Sequence, residues 1–156
     1  MIGTPKDSPR VFVPPPIVVS GTLLVGLMLD GRLAGWPEIT LIPGALGAAM
    51  LGAGLFLIAA ALGLFKRART RPEPWQAAST LVRSGVYSFT RNPMYLGMVV
   101  IYLGIGIALR SGSALMLAVP LFFLLDRFVI RREEAYLRRR FGSSYDEYGA
   151  RVRRWL

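Results

Sequence analysis

Two residue types are missing from this chain of 156: it has no cysteine and no histidine. The first absence excludes disulfides, thiolate nucleophiles and thiolate metal sites. The second removes the commonest general base and the commonest metal ligand. A metal site would have to be built from carboxylates alone, for which candidates are few, and no metal is expected. Lysine is nearly absent as well, Lys6 and Lys66 being the only two. Acidic residues are scarce beside basic ones, nine against nineteen, for a net charge of +10. In a soluble protein that balance would point to nucleic acid. Here the arginines sit in loops beside apolar runs, and neither a basic helix face nor an aromatic-interleaved sheet is visible. They mark the cytoplasmic side of a membrane and meet anionic headgroups; membrane lipids are the expected partner and nucleic acid is not.

What the chain has instead is apolar length. Hydrophobic residues make up 53% of it and the mean hydropathy is +0.46, high for a soluble protein. The charges are segregated rather than interspersed, so the expected fold is all-α, a polytopic membrane protein with about four transmembrane helices and a cytoplasmic C-terminal helical tail. Residues 1–15 read as an N-terminal arm, with no cleavage pattern that would remove the first apolar run. Residues 16–65 hold the first two spans. The first runs from about Pro16 to Leu29 and stops at Asp30-Gly31-Arg32, with Trp36 at the interface level. The second, about Leu41 to Phe65, is rich in Gly and Ala at spacings that let helices approach closely in lipid; self-pairing through this span is an open route to an oligomer. Residues 66–156 form the half able to carry chemistry. It opens with the basic cluster Lys66 to Arg71 and the helix-breaking Pro72-Glu73-Pro74-Trp75. A short third span from Pro93 or Met94 to Arg110 turns at Ser111-Gly112-Ser113 into a fourth, Ala114 to Ile130, with a kink expected at Pro120. The tail reads as two short helices broken at Gly142, with Ser143 or Ser144 capping the second.

Charge asymmetry sets the orientation. The loop 66–92 and the tail are rich in arginine, whereas the two opposite loops carry only Arg32 and Arg110, so the loop and the tail face the cytoplasm together with both termini. The expected location is multi-pass in a bacterial inner membrane. The two polar regions that could bear chemistry therefore share one side and can meet. In the loop, Tyr87, Phe89 and Tyr95, with Tyr102 further on, are either an interfacial aromatic belt or the walls of a site. In the tail, Glu133-Glu134 is either a solvated helix face, with Glu134 pairing Arg138 four residues on, or a ligand pair. Together, a carboxylate and aromatic faces at a membrane boundary suit a small organic cation. Asn92-Pro93 starts a helix whose first N–H groups suit a ligand carboxylate. S-adenosylmethionine carries both charges and an aromatic base.

The stretch G-V-Y-S-F-T-R-N-P-M-Y-L-G, followed some forty residues later by R-R-E-E-A-Y-L-R-R-R-F-G-S-S-Y-D-E-Y, resembles the isoprenylcysteine carboxyl methyltransferase family. That family belongs to a wider group of integral-membrane methyltransferases that includes phospholipid methyltransferases. The resemblance covers about Ser79 to Trp155, half the chain; the first two spans match only as apolar helices. It implies an S-adenosylmethionine pocket on the cytosolic side. By position, Leu81 and Val82 would line the adenosyl site and Tyr87 would face the cofactor. Asn92, Pro93, Met94 and Tyr95 would wrap its methionine part, and Glu133 would bind it from the tail with Glu134 alongside. An arginine ahead of the glutamates, Arg127, Arg131 or Arg132, would hold the acceptor's carboxylate. One position departs: the family's R-H-P-x-Y has His where this chain has Asn92, which hydrogen-bonds but is no base near neutral pH.

Methyl transfer from a sulfonium is a direct displacement, so alignment and exclusion of water are the protein's main tasks. A carboxylate acceptor needs no base, which suits a chain without His. An amine acceptor would need one, and Glu133 or Glu134 would be the candidates. The expected activity is thus S-adenosylmethionine-dependent methylation of a lipophilic acceptor, a prenylcysteine-like or other lipid-like carboxylate entering sideways from the bilayer. Two other classes stay open: a nicotinamide-dependent membrane reductase, and a non-catalytic membrane scaffold of the same fold.

Overall fold

The computed structural model describes residues 13–30, 42–70 and 78–156, and among them every regular element is helical. Most of the N-terminal arm, Arg32, Trp36, Arg71 and the Pro72 to Trp75 break lie outside the described residues. Four apolar helices follow one another: α1 (Pro15–Asp30), α2 (Gly44–Arg67), α3 (Pro93–Ala108) and α4 (Gly112–Leu124). Two polar helices complete the chain, α5 (Arg131–Phe141) and α6 (Ser143–Arg151). A 3-10 turn at Gly85–Ser88 precedes α3. Two helices are long and apolar enough to cross a membrane, α2 and the helix that α4 begins. The other two, α1 and α3, are apolar but have 16 residues each. At 1.5 Å per residue that is about 24 Å of helix, against a hydrocarbon core of about 30 Å.

Close backbone contact joins α2 to α3. A β-carbon on Gly54 would stand 2.6 Å from the carbonyl oxygen of Gly97, and one on Gly47 2.7 Å from that of Gly104. The reverse distances are 2.8 Å in both cases. The glycines recur seven residues apart on each helix, so the antiparallel pair stays in contact over two turns, which only glycine permits. The other glycines of α2, Gly44, Gly52 and Gly63, meet nothing within 4 Å. The small residues of the second span thus divide into one face that packs and another that does not.

At one end of the bundle, called here the far end, α1 closes onto α4. Gly26 lies against the backbone of Ala114. Asp30 accepts the Ser113 amide at 3.0 Å and the Ser111 hydroxyl, while Ser111 Oγ accepts the Ala114 amide at 3.1 Å. Asp30 therefore finishes one helix and caps another. The core runs inward from there through Tyr102, Ala118, Leu121, Leu125, Val129 and Ile130.

Three expectations need correction. The fourth span and the first tail helix are not separate: α4 passes through a π-helical stretch, Leu125–Ile130, directly into α5, one helix from Gly112 to Phe141. Apart from Asp126 and Arg127 it is apolar as far as Ile130, and it is densely charged from Arg131 onward. The change of helical register falls in that stretch, past Pro120. Neither Ser143 nor Ser144 caps α6. Gly142 holds that position, at φ 53° and ψ −130°, where a side chain would be strained, and no side chain caps the helix. Finally, Tyr102 belongs to the core: fully buried, it donates its hydroxyl to the Ala114 carbonyl at 2.8 Å and ties α3 to α4.

Candidate functional site

The polar end gathers the 3-10 turn, the start of α3, α5, α6 and the segment after α6. The tail is docked there by three buried tyrosines. Tyr136 of α5 accepts the Ala78 amide at 2.9 Å. Tyr148 of α6 donates to the Tyr87 carbonyl at 2.7 Å. Tyr145 packs edge-on against Tyr148 and lies under the Arg91 guanidinium. Residues 152–155 then run beside 90–92: the Arg91 amide donates to the Arg153 carbonyl at 3.0 Å. The Thr90 hydroxyl and the Asn92 side-chain amide donate to the Arg154 carbonyl at 3.1 and 2.9 Å. The loop and the tail, separate polar regions in the sequence, thus form one body.

Inside it lies Glu133. Ile130, Glu133 and Tyr136 are three residues apart, so this carboxylate stands on the inward stripe of the helix. It is hemmed in by protein yet keeps part of its surface open. Among the described residues it accepts a hydrogen bond from the hydroxyl of Tyr95, in the first turn of α3, at 2.8 Å. Burial pushes its pKa up to about 7; the Tyr95 hydrogen bond opposes the shift and the neighbouring Glu134 charge adds to it. No cation pairs with Glu133 among the described residues. Tyr87, buried and edge-on to Phe65 of α2, is close enough that the Glu133 charge, added to its burial, pushes its hydroxyl above the ordinary tyrosine range.

Glu134, one residue on, is treated in the opposite way. Arg154 grips it with two nitrogens, at 2.6 and 3.1 Å, and Arg91 adds a third contact at 3.3 Å. The expected pairing with Arg138 does not form: Arg138 pairs with Asp146 across the α5–α6 corner at 2.7 Å. Asp126, in the π-helical stretch, collects Arg131 at 3.1 Å, Arg154 at 3.3 Å and the Trp155 indole N–H at 3.2 Å.

The structure therefore brings Tyr87, Asn92, Pro93, Met94 and Tyr95 to the same end as Glu133 and Glu134. Asn92 is buried, and its amide is committed to the Arg154 carbonyl; its side chain does not cap α3. Leu81 and Val82 are half-buried in the irregular segment before the turn. Phe89, 75% exposed, is no part of the enclosure. Arg127, Arg131 and Arg132 are all exposed. Arg131 is engaged with Asp126, and Arg127 forms no hydrogen bond or ion pair among the described residues. Reading by motif passed over Arg91, Asp126, Arg154 and Trp155. Arg91 stood within the quoted motif as an ordinary loop cation. Arg154 stood in an arginine-rich tail in which nothing local singles it out.

A family model described as phospholipid methyltransferase matches residues 42–144, from ahead of α2 into α6, and so spans both Tyr95 and Glu133. An uncharacterized protein of Haemophilus influenzae is 36% identical over 63 residues, 40% of this chain and the whole of that protein. No solved structure matches. With two helices able to cross a membrane and a family match over most of its length, the chain belongs to the phospholipid methyltransferase family, integral-membrane methyltransferases related to the isoprenylcysteine carboxyl methyltransferases.

Proposed function

We propose that this membrane methyltransferase uses S-adenosylmethionine, held around Glu133 and Tyr95, to methylate a lipophilic acceptor at the polar end of the bundle. One observation carries the reading: a half-buried carboxylate with a phenol for a partner and no counter-cation among the described residues. Such a group costs free energy when ionised unless a cation arrives. S-adenosylmethionine brings an ammonium and a sulfonium, and a carboxylate for which the uncapped first turn of α3 offers backbone N–H groups. The residues present fit the group. When bound, it supplies a methyl on positively charged sulfur, open to direct displacement.

The chain's own residues then have separable tasks. Glu133 receives the positive charge. Tyr95 fixes the carboxylate's orientation by donating to one oxygen. Tyr87 closes the side toward α2. Asn92 joins α3 to the tail rather than touching reacting atoms, so Asn in place of His at this position costs no base. Glu134 is occupied by two arginines rather than turned toward an acceptor, and the reading favours an acceptor that is already anionic. For the acceptor's charge we assign Arg127, which shares an exposed stretch with Phe123, Leu124 and Phe128. An acceptor with an apolar body and an anionic head, such as a prenylcysteine-like carboxylate, matches that stretch.

Calorimetry with S-adenosylmethionine on detergent-purified protein tests the pocket. A saturable site in the wild type, lost in Glu133→Gln and Tyr95→Ala, is the expected result; absence of binding by folded wild type would sink the reading. Transfer of label from methyl-labelled cofactor into a lipid extract then reports the acceptor class.

A further inference from the structure

Arg154 lies outside the region that the family match covers, yet it joins several segments of the polar end. Its guanidinium reaches two carboxylates on one helix, Asp126 at 3.3 Å and Glu134 at 2.6 and 3.1 Å. Asp126 and Glu134 flank the passage from the π-helical stretch into α5, so one side chain bridges the turns that carry Glu133. Its carbonyl meanwhile accepts hydrogen bonds from Thr90 and Asn92, which lead into α3 and hence to Tyr95. The next residue, Trp155, packs on Phe122 with ring centroids 4.6 Å apart and donates to Asp126. The segment is pinned on both sides.

We propose that Arg154 is a positioning residue of the pocket, clamping α5 to the start of α3 so that Glu133 faces Tyr95 at hydrogen-bonding distance. The cofactor role rests on the reading given above; the placement of Glu133 does not. Two consequences differ from those of a mere surface ion pair. Geometrically, losing the clamp loosens the Tyr95–Glu133 contact without removing either partner. Electrostatically, the charged and titratable groups around Glu133 are Tyr95 from α3, Tyr87 from the 3-10 turn, Glu134 on its own helix and Tyr145 from α6, with Arg91 and Arg154 acting through Glu134. Without Arg154, Glu134 keeps only Arg91, and its charge bears more heavily on Glu133. The midpoint at which Glu133 ionises then rises.

The test uses full-length protein in detergent, with the carboxyl carbons of glutamate isotopically labelled and Glu133 titrated by NMR. S-adenosylmethionine affinity is measured in parallel. Arg154→Ala is expected to raise the Glu133 midpoint and weaken binding roughly tenfold or more. Arg154→Lys keeps the charge but loses the two-pronged grip, and is expected to restore the midpoint more fully than the affinity. Arg151→Ala, whose side chain is 73% exposed and meets Glu147 at 3.7 Å, is expected to change neither. If wild type binds and Arg154→Ala leaves midpoint and affinity unchanged, the role of Arg154 is overturned. If the midpoint moves but even wild type binds no cofactor, the positioning stands and the cofactor reading falls. Should Arg154→Ala not fold, Arg154→Lys decides: unchanged affinity in it overturns the proposal.

Discussion

Between α2 and α3, four glycines bring two backbones together with no charge at the contact and the side chains of Ile58 and Ile101 beside it. At the polar end, Arg91, Arg154, Asp126 and Glu134 hold α5 to α3 through charge, and buried tyrosines add hydrogen bonds. The first contact is insensitive to pH and salt and intolerant of added volume. The second tolerates changes of volume and responds to anything that alters charge. A membrane protein gains little from burying apolar side chains against each other, since lipid is equally apolar, so close packing must do that work where water is absent. Where water returns, ionic contacts can set the geometry of a site and tune a carboxylate inside it. The comparison assigns stability to the glycines and function to the charges, and it can be broken at either region.

The largest effect is expected at Gly54. Its added β-carbon would meet the Gly97 carbonyl at 2.6 Å and the Ile101 amide nitrogen at 3.0 Å. Both are backbone atoms that cannot swing aside. Gly54→Val should therefore cost about 3 kcal/mol or more and sharply lower the midpoint of thermal unfolding in detergent. Gly52→Val, two residues away with nothing within 4 Å, should shift it little. Equal losses in the two variants would show that the contact is not the anchor claimed here.

Next in size is the pH dependence of the pocket. Glu133 titrates near 7 because burial disfavours its charged form. Protonated, it attracts no cation, so cofactor affinity should rise as pH climbs through 7 and level off above. The unliganded protein should show the opposite trend. A carboxyl whose folded pKa is raised takes up its proton more tightly when folded, so its contribution to stability is full at acidic pH. That contribution is lost as pH rises from the unfolded value near 4.5 to about 7. Glu133→Gln should flatten both curves. A wild-type affinity constant from pH 6 to 8 would remove Glu133 from the cofactor's charge.

These two regions differ in how far the sequence disclosed them. The apolar runs showed the four apolar helices within a few residues, and Gly142 marked the break in the tail, because hydropathy and helix-breaking are local properties. Tyr95 and Glu133 entered as an aromatic face and a carboxylate suited to a cation at a membrane boundary, and the resemblance between motifs then gave each a role; the spacing Ile130, Glu133, Tyr136 would have placed that carboxylate on the inner stripe. Arg154, Arg91 and Asp126 were not legible, since a bidentate grip depends on which turns of which helices come together. For the same reason Glu134 was matched to Arg138 by the i,i+4 rule although its partners lie in other segments. The tail's continuity with the fourth span was missed because Arg131 changes the polarity of the chain without interrupting its helix.

The smallest effect tests whether charge matters everywhere at the polar end or only around the pocket. Arg138 and Asp146 form a close pair, 2.7 Å apart, yet their side chains are 64% and 55% exposed. Water screens such a pair, and ordering two side chains offsets most of its attraction, so Arg138→Ala should cost between about 0 and 1 kcal/mol. Glu134 and Arg91, each 14% exposed, lie only 3.3 Å apart and share a network with Arg154; removing one of them strands the other's charge in a poorly hydrated place. Distance alone would rank the Arg138 pair above the Arg91 pair, and burial reverses that order. Thermal unfolding of Arg138→Ala beside Arg91→Ala, each at low salt and at high salt, separates the two. A loss in Arg138→Ala as large as in Arg91→Ala would mean that the α5–α6 corner, and not the pocket's clamp, holds the tail in place.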